Sequence, residues 1–511
     1  MWNHRASAGI GLALVLALAA GGCENFLDVN DDPNAPESVP VAQILPGIIV
    51  EFTELGTGSP LYSPEGWTSL WMQQWSYNQP WPYSRTDLYE VTAIDTDDVW
   101  AEAYDDVMIE AKNLMDVAEA NEDWAYHGLA QFLLAWTATR LSDMFGPIPF
   151  TEALDPLNPD PAYDDQQVVY QTAQQMIAEA IEEMQMPGDN VPGENDLIFG
   201  GDMARWVQLA HTVQARLHMR LAYAPGESPT DRAQKALDEL ANGITESVAF
   251  DYIGGEGNRQ PLYDYDGADW NTRYVIAAPF IDLLEGLNDP RLPIMVAPAA
   301  YDGAFRGHIP AADRMVTGDP FFDDSDRCTV APASCDPDDE DYPDIAWNDS
   351  IFSHIGAAIT VDSTDYVWVG MPEVHFLEAE AQLILGGAAQ PAYEAGIRAH
   401  MESLGVDPAA IQAYLDQLPP LASLGNEGAL EAIMTQKYIA NFLHGIEVWN
   451  DWRRTGYPTI IPVDSAYVDG IPQRLRTPSA EIAYNGDNVA ATGIPTGLEG
   501  MLQKVWWASG N

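Results

Sequence analysis

The chain has 511 residues, 47% of them hydrophobic, and carries 78 Asp and Glu against 22 Lys and Arg, a net charge of −56. The hydrophobic content excludes wholesale disorder, and the acid excess excludes recognition of nucleic acid through a basic surface. Such an excess keeps a protein soluble by self-repulsion and suits work in salt, where screening is strong.

His4 and Arg5 precede an apolar run from Gly9 to Ala20, followed by Gly21-Gly22-Cys23. That run is too short to span a bilayer, which takes about 20 apolar residues. A weakly positive start, a short apolar core and small residues predict a secretory signal over 1–22. Cys23 stands where a bacterial lipobox places its lipidated cysteine, although Ala20 replaces the more usual Leu. Lipidation at Cys23 is therefore expected, with an ordinary signal peptide and a chance cysteine as the alternative. Residues 23–40, rich in Asn, Asp and Pro, read as an extended, lipid-anchored tether. Cys328 and Cys335 share one acidic loop, Asp323 to Asp344. In an oxidising compartment they can close a small disulfide, two free thiols being the alternative. The loop's Asp336, Asp338, Asp339, Glu340 and Asp341 offer the oxygen ligands that calcium prefers but lack EF-hand spacing, so an unbound acidic loop is expected, with calcium binding as the alternative.

Ser63 followed by Pro64 predicts a helix start. Trp67, Trp71 and Trp75 then fall at i, i+4 and i+8, a stripe that reads first as core. Further helices are expected from Val99 to Ala118, from Leu129 to a stop at Gly146-Pro147, and over about 165–186 and 202–223. Shorter ones are expected over about 230–242, 276–287, 372–387 and 391–404, and a last long one over about 427–453. Minor strands are expected at Thr360-Val361 and Tyr366 to Val369, with no large sheet. The fold class is mostly α: tetratricopeptide-like helix pairs supporting an irregular, loop-rich half. One domain over 41–511 carries loop-rich insertions at about 251–272, 297–370 and 455–500; loops that long are usually functional.

No phosphate loop, dinucleotide fingerprint, zincin motif or nucleophile elbow is present. His211 and His218 share a helix face without a third ligand, and His375 and Glu378 lack a partner motif, so packing is the expected role of each. No cofactor, metal or catalytic residue is assigned.

Tyr62, Trp67, Trp71, Trp75, Tyr77, Trp81, Tyr83 and Tyr89 fall within 28 residues. Between Tyr77 and Tyr83 the prolines Pro80 and Pro82 forbid a helix, and rigid rings beside Asn78 and Gln79 suit sugars, whose apolar faces stack while their hydroxyls meet amides. Trp75, Tyr77, Asn78, Gln79, Trp81 and Tyr83 are the candidate ligand residues. Trp270, Asn271, Arg273 and Tyr274 form a second group of the same chemistry.

Cys23-Glu24-Asn25-Phe26-Leu27-Asp28-Val29-Asn30, Asp143-Met144-Phe145-Gly146-Pro147-Ile148-Pro149, Asn288-Asp289-Pro290-Arg291, Glu373 to Ala381, Trp449 to Pro458 and Arg474 to Asn488 occur in that order. Together they resemble SusD/RagB-type nutrient-binding outer-membrane lipoproteins. The resemblance implies a non-catalytic lipoprotein facing the cell exterior that captures oligosaccharide or peptide and passes it to a SusC-like TonB-dependent β-barrel transporter. A glycoside hydrolase on a helical frame and a helical protein–protein scaffold are the alternatives. Arg453 and Arg454 are expected in internal ion pairs rather than on ligand.

Overall fold

The computed structural model describes residues 39–55, 63–77, 85–255, 258–261, 274–311, 352–357, 359, 361–464 and 466–510. Helix α1 (Val41–Glu54) and the short α2 (Pro64–Trp71) come first. Ser63 caps α2 by accepting the Gly66 N–H, and Pro64 fills the first turn, as the sequence predicts. The helix ends at Trp71, however. Gln73 takes a positive φ of 56°, and Trp75 sits in strand β1 (Trp75–Tyr77) rather than at i+8 of a helix.

Helix α3 is one rod in three pieces, Asp97–Ala101, a π-helical Glu102–Met108 and Ile109–Asn121. It packs on α4 (Trp124–Phe145), which packs on α5 (Gln166–Glu183). α4 is apolar on all sides and buried almost throughout, as expected of a helix at the centre of a bundle. Its buried Thr137 and Thr139 satisfy their hydroxyls on the Leu133 and Trp136 carbonyls. The pair α6 (Met203–Arg220) and α7 (Pro229–Leu240) follows. These are the tetratricopeptide-like helix pairs.

Strands β2 (Val248–Phe250) and β3 (Tyr274–Ile276), helices α8 (Ala278–Gly286) and α9 (Leu292–Met295), and strands β4 (Val296–Ala297), β5 (His354–Ile355) and β6 (Tyr366–Val369) form the irregular half. The strands make three antiparallel two-stranded ribbons, β1–β3, β2–β6 and β4–β5. Val361 lies outside any strand, and Thr360 lies outside the described residues. Helices α10 (Met371–Ile384), α11 (Ala389–Ser403), α12 (Pro408–Gln417), α13 (Gly425–Ala440) and α14 (Gly445–Thr455) close the frame. The stretch 455–500, expected to be irregular, contains two single-turn helices, α15 (Ser479–Tyr484) and α16 (Gly486–Ala491).

The single helix expected over 427–453 is two. Asn441 to His444 interrupt it, with Leu443 at φ 75°. The cause is a close approach: a Cβ at Gly445 would fall 2.3 Å from the Glu65 carbonyl oxygen and 2.6 Å from the Ser69 nitrogen. Only glycine lets α14 start directly on α2.

The two halves share one core. Trp368 of β6 enters a cluster with Phe52, Trp136 and Trp206, ring centroids 4.8–5.9 Å apart, and its indole N–H donates to Thr53 Oγ1 at 3.1 Å. This fixes β6 against α1, α4 and α6. Among the described residues no helix is long and apolar enough to cross a membrane.

Candidate functional site

β6, α2, α10, α11 and the 441–447 corner enclose a cavity of about 470 Å³, within the roughly 300–1,000 Å³ typical of small-ligand sites. Its aromatic lining comes from Trp75, Tyr366, Trp368 and Phe442; its polar lining includes Glu65, Arg216, Asn441, His444 and Glu447. The Asn441 side-chain nitrogen is buried with no hydrogen-bond acceptor among the described residues. Such a group costs free energy unless something accepts from it.

Glu65 joins three elements. Its Oε2 accepts the Ile446 N–H at 2.9 Å, at the start of α14, and its Oε1 accepts the Tyr366 hydroxyl at 3.3 Å. Burial pushes its carboxyl up to about 7, against the opposing Ile446 hydrogen bond and Arg140. His444 is held down at about 4 by burial and then by Arg216, so it is neutral at pH 7. His400 is likewise held well below its usual range by burial and Arg291.

Behind this wall runs a buried ionic network. Arg216 grips Glu373 through Nε (2.8 Å) and Nη2 (2.7 Å). Arg220 reaches Glu447 at 2.5 Å and Asp143 at 3.2 Å. Lys437 reaches Asp451 at 2.8 Å, and Arg454 bridges Asp451 (2.9 Å) and Glu380. Burial disfavours the Glu447 charge, but Arg220 and Arg216 outweigh it and hold that carboxyl low. Arg454 is thus ion-paired as expected. Arg453 is not: its Nη1 donates to the Gln473 carbonyl at 2.8 Å and Nη2 to Asn450, while its guanidinium stacks 3.4 Å over Trp449 and 4.7 Å from Trp507. An aromatic pair and neutral acceptors solvate it where a carboxylate was expected.

The predicted ligand residues divide. Trp75, Tyr77 and Tyr274 are described, and they are buried at 2%, 1% and 1% exposure. Tyr77 and Tyr274 are therefore core residues and not free ring platforms, while Trp75 is packed but still lines the cavity. Asn78, Gln79, Trp81, Tyr83, Trp270, Asn271 and Arg273 lie outside the described residues, as do Cys23, Cys328 and Cys335. The strands that carry the two groups are paired: β1 ends at Tyr77, β3 begins at Tyr274, and these two residues are register partners. Chain segments 78–84 and 262–273 therefore join the described fold at the same end of one ribbon.

The two helix-face histidines carry no metal-like arrangement: His211 Nδ1 lies 2.6 Å from Glu239, and His218 Nδ1 lies 3.0 Å from Arg232. Among the described residues no group of three or more His, Cys, Asp or Glu side chains is placed to hold a metal ion. Sequence reasoning missed Glu65, Asn441 and His444. The available signal was Asn441 and Gly445, two poor mid-helix residues inside an otherwise apolar helical period.

The family model described as "Starch-binding associating with outer membrane" matches residues 33–478. The chain belongs to the SusD-like family. Solved structures share the fold of this SusD-like protein. A protein named as chitin-binding is 22% identical, with a TM-score of 0.72 over 91% of this chain and 99% of its own. A SusD/RagB family protein from Bacteroides thetaiotaomicron is 19% identical, with a TM-score of 0.74 over 93% and 100%. A chitin-binding SusD homolog from Flavobacterium johnsoniae is 22% identical, with a TM-score of 0.70 over 91% and 98%. Among curated proteins none matches the chain in sequence. The family consists of binding proteins and not of enzymes, which removes the glycoside-hydrolase alternative.

Proposed function

We propose that this SusD-like protein captures a nutrient oligosaccharide at the outer surface of the outer membrane, anchored through Cys23, and delivers it to a SusC-like TonB-dependent transporter. The family match over residues 33–478 carries the reading. Carbohydrate is favoured over peptide by the family's starch-binding description and by two structural neighbours named as chitin-binding. The ribbon supports a common capture region: the Asn78, Gln79, Trp81 and Tyr83 segment and the Trp270, Asn271 and Arg273 segment attach at its Tyr77–Tyr274 end. The cavity beyond Trp75 offers aromatic faces and an unsatisfied amide donor, a combination suited to a polyhydroxylated ring.

Calorimetry of the mature chain against a panel of oligosaccharides and peptides tests the ligand class. With the glycan that binds, Trp81→Ala should weaken binding about tenfold or more, as loss of a hot-spot ring does, with the helical circular-dichroism signal intact. Binding of peptides alone would overturn the carbohydrate reading. Unchanged affinity in both Trp81→Ala and Tyr83→Ala would overturn the loop assignment. Cys23→Ala should release the protein from the outer-membrane fraction.

A further inference from the structure

Arg474 is 4% exposed, at the point where the C-terminal segment meets the end of α4. The Leu475 N–H donates to the Met144 carbonyl at 2.8 Å, and the guanidinium lies on Gly146, where a Cβ would sit 3.1 Å from Nη1. Gly146 has φ +80°, so the helix stop and the approach of the arginine both require glycine. Two segments singled out in the sequence, Asp143 to Pro149 and Arg474 to Asn488, are joined here.

Arg474, like Arg453, lacks a counter-charge, and unlike Arg453 it also lacks neutral hydrogen-bond acceptors among the described residues. The buried arginines Arg216, Arg220, Arg291 and Arg454 each reach a carboxylate within 3.2 Å. Arg474 has no ion pair or hydrogen bond among the described residues, and its Nε is buried without an acceptor. Its neighbour Tyr163 donates its hydroxyl to Glu481 at 2.7 Å. Burial lowers the guanidinium to about 10, which still leaves it charged at neutral pH. A buried charge without a partner is costly.

The guanidinium borders a small cavity whose other walls include Trp100, Phe145, Tyr163, Thr477 and Thr492. No described residue lining it is acidic. It has room for about one water-sized body, too little for a carboxylate or phosphate group.

We propose that this cavity is a halide site in which Arg474 holds a single monatomic anion, such as chloride, as its counter-ion. The net charge of −56 opposes anion binding at low salt, but its reach falls to about 8–10 Å at physiological salt, so the site fills in saline and empties in dilute buffer. The ion would fasten the 474–488 segment to the stop of α4. This site is independent of nutrient capture.

Bromide is the probe. Crystals equilibrated in sodium bromide should show an anomalous peak in hydrogen-bond range of the Arg474 guanidinium. At fixed ionic strength, the thermal midpoint of the wild-type protein should be higher in sodium bromide or chloride than in sodium gluconate, and Arg474→Met should lose that difference. No anomalous scatterer beside Arg474, with water alone there, overturns the proposal. So does an adventitious ion only, seen as a bromide peak without a halide-specific rise in midpoint, or a rise that persists in Arg474→Met. If Arg474→Met does not fold, the bromide map and the wild-type halide difference decide together.

Discussion

Tyr77 and Tyr274 face each other across the β1–β3 ribbon, ring centroids 5.2 Å apart and each 1% exposed. Trp75 lies two register steps behind, its ring edge-on to Tyr274 at 6.0 Å and 6.5 Å from Phe442. The ring chemistry that suggested a ligand platform is used here to bury the root of a ribbon. A two-stranded ribbon is marginal alone and needs such packing.

Removing one of these rings should therefore act on stability first. Tyr274→Ala deletes a buried ring between Trp75 and Tyr77 and should cost about 3 kcal/mol, as large aromatic truncations do. Urea unfolding followed by tryptophan fluorescence measures it. A loss under about 1 kcal/mol, in the range of ordinary surface substitutions, would mean that the ring is not core.

Gly445→Ala probes the corner that shapes the cavity. A Cβ would meet α2 backbone, which cannot turn aside as a side chain can. Overpacking of this kind costs about 1–3 kcal/mol. The displaced α14 start should also lengthen the Ile446 to Glu65 hydrogen bond. Hydrogen exchange at the Ile446 amide should speed up in the variant; unchanged exchange together with unchanged stability would contradict the close approach.

The helices were legible because their apolar period is long and their stops are chemical. Gly146-Pro147 and Ser63-Pro64 mark ends that the structure keeps. The break at 441–444 was hidden because Phe442 and Ile446 keep the apolar spacing across it; its cause is contact with α2, hundreds of residues earlier in sequence. Trp75 was misread for the same reason, since i+8 spacing continues into β1 after the helix has ended at Trp71. Of the cavity only Trp75 was legible as a ligand candidate. Glu65, Tyr366 and His444 meet only in three dimensions, and none belongs to a local motif.

The ionic network behind the cavity gives a third test. Glu380 and Arg454 are both essentially inaccessible, 0% and 1% by side chain. Glu380→Leu removes the carboxylate that takes both guanidinium nitrogens Nη1 and Nη2 and should cost about 3–5 kcal/mol, the range for breaking a buried pair. The double variant Glu380→Leu/Arg454→Met removes both charges and should recover much of that loss. Equal destabilisation by the single and double variants would show that packing, and not the stranded charge, sets the cost.

Glu65 gives the pH dependence. Its folded carboxyl titrates at about 7 rather than near 4.5, because burial outweighs the Ile446 hydrogen bond and Arg140. A raised folded value means that the native state holds more protons than the unfolded chain between those limits. Its contribution is fully present below about pH 4.5 and is lost as pH rises through 7. Glu102 shifts the same way, to about 7, through burial and then Asp98 and Asp106. His444 and His218, both held near 4 mainly by burial, act in the opposite direction between about 4 and 6.5. Above pH 6.5 those histidines are mostly neutral in both states, so the wild-type protein should lose stability from pH 6.5 to 8. Glu65→Gln keeps an acceptor for Ile446 and cannot ionise. At pH 8 it should be more stable than wild type, by an amount on the order of 2 kcal/mol, and near pH 4.5 it should not. Guanidinium unfolding of both proteins at pH 5, 6.5 and 8 measures the difference directly. A gap that does not widen as pH rises would place the Glu65 carboxyl back in the ordinary range.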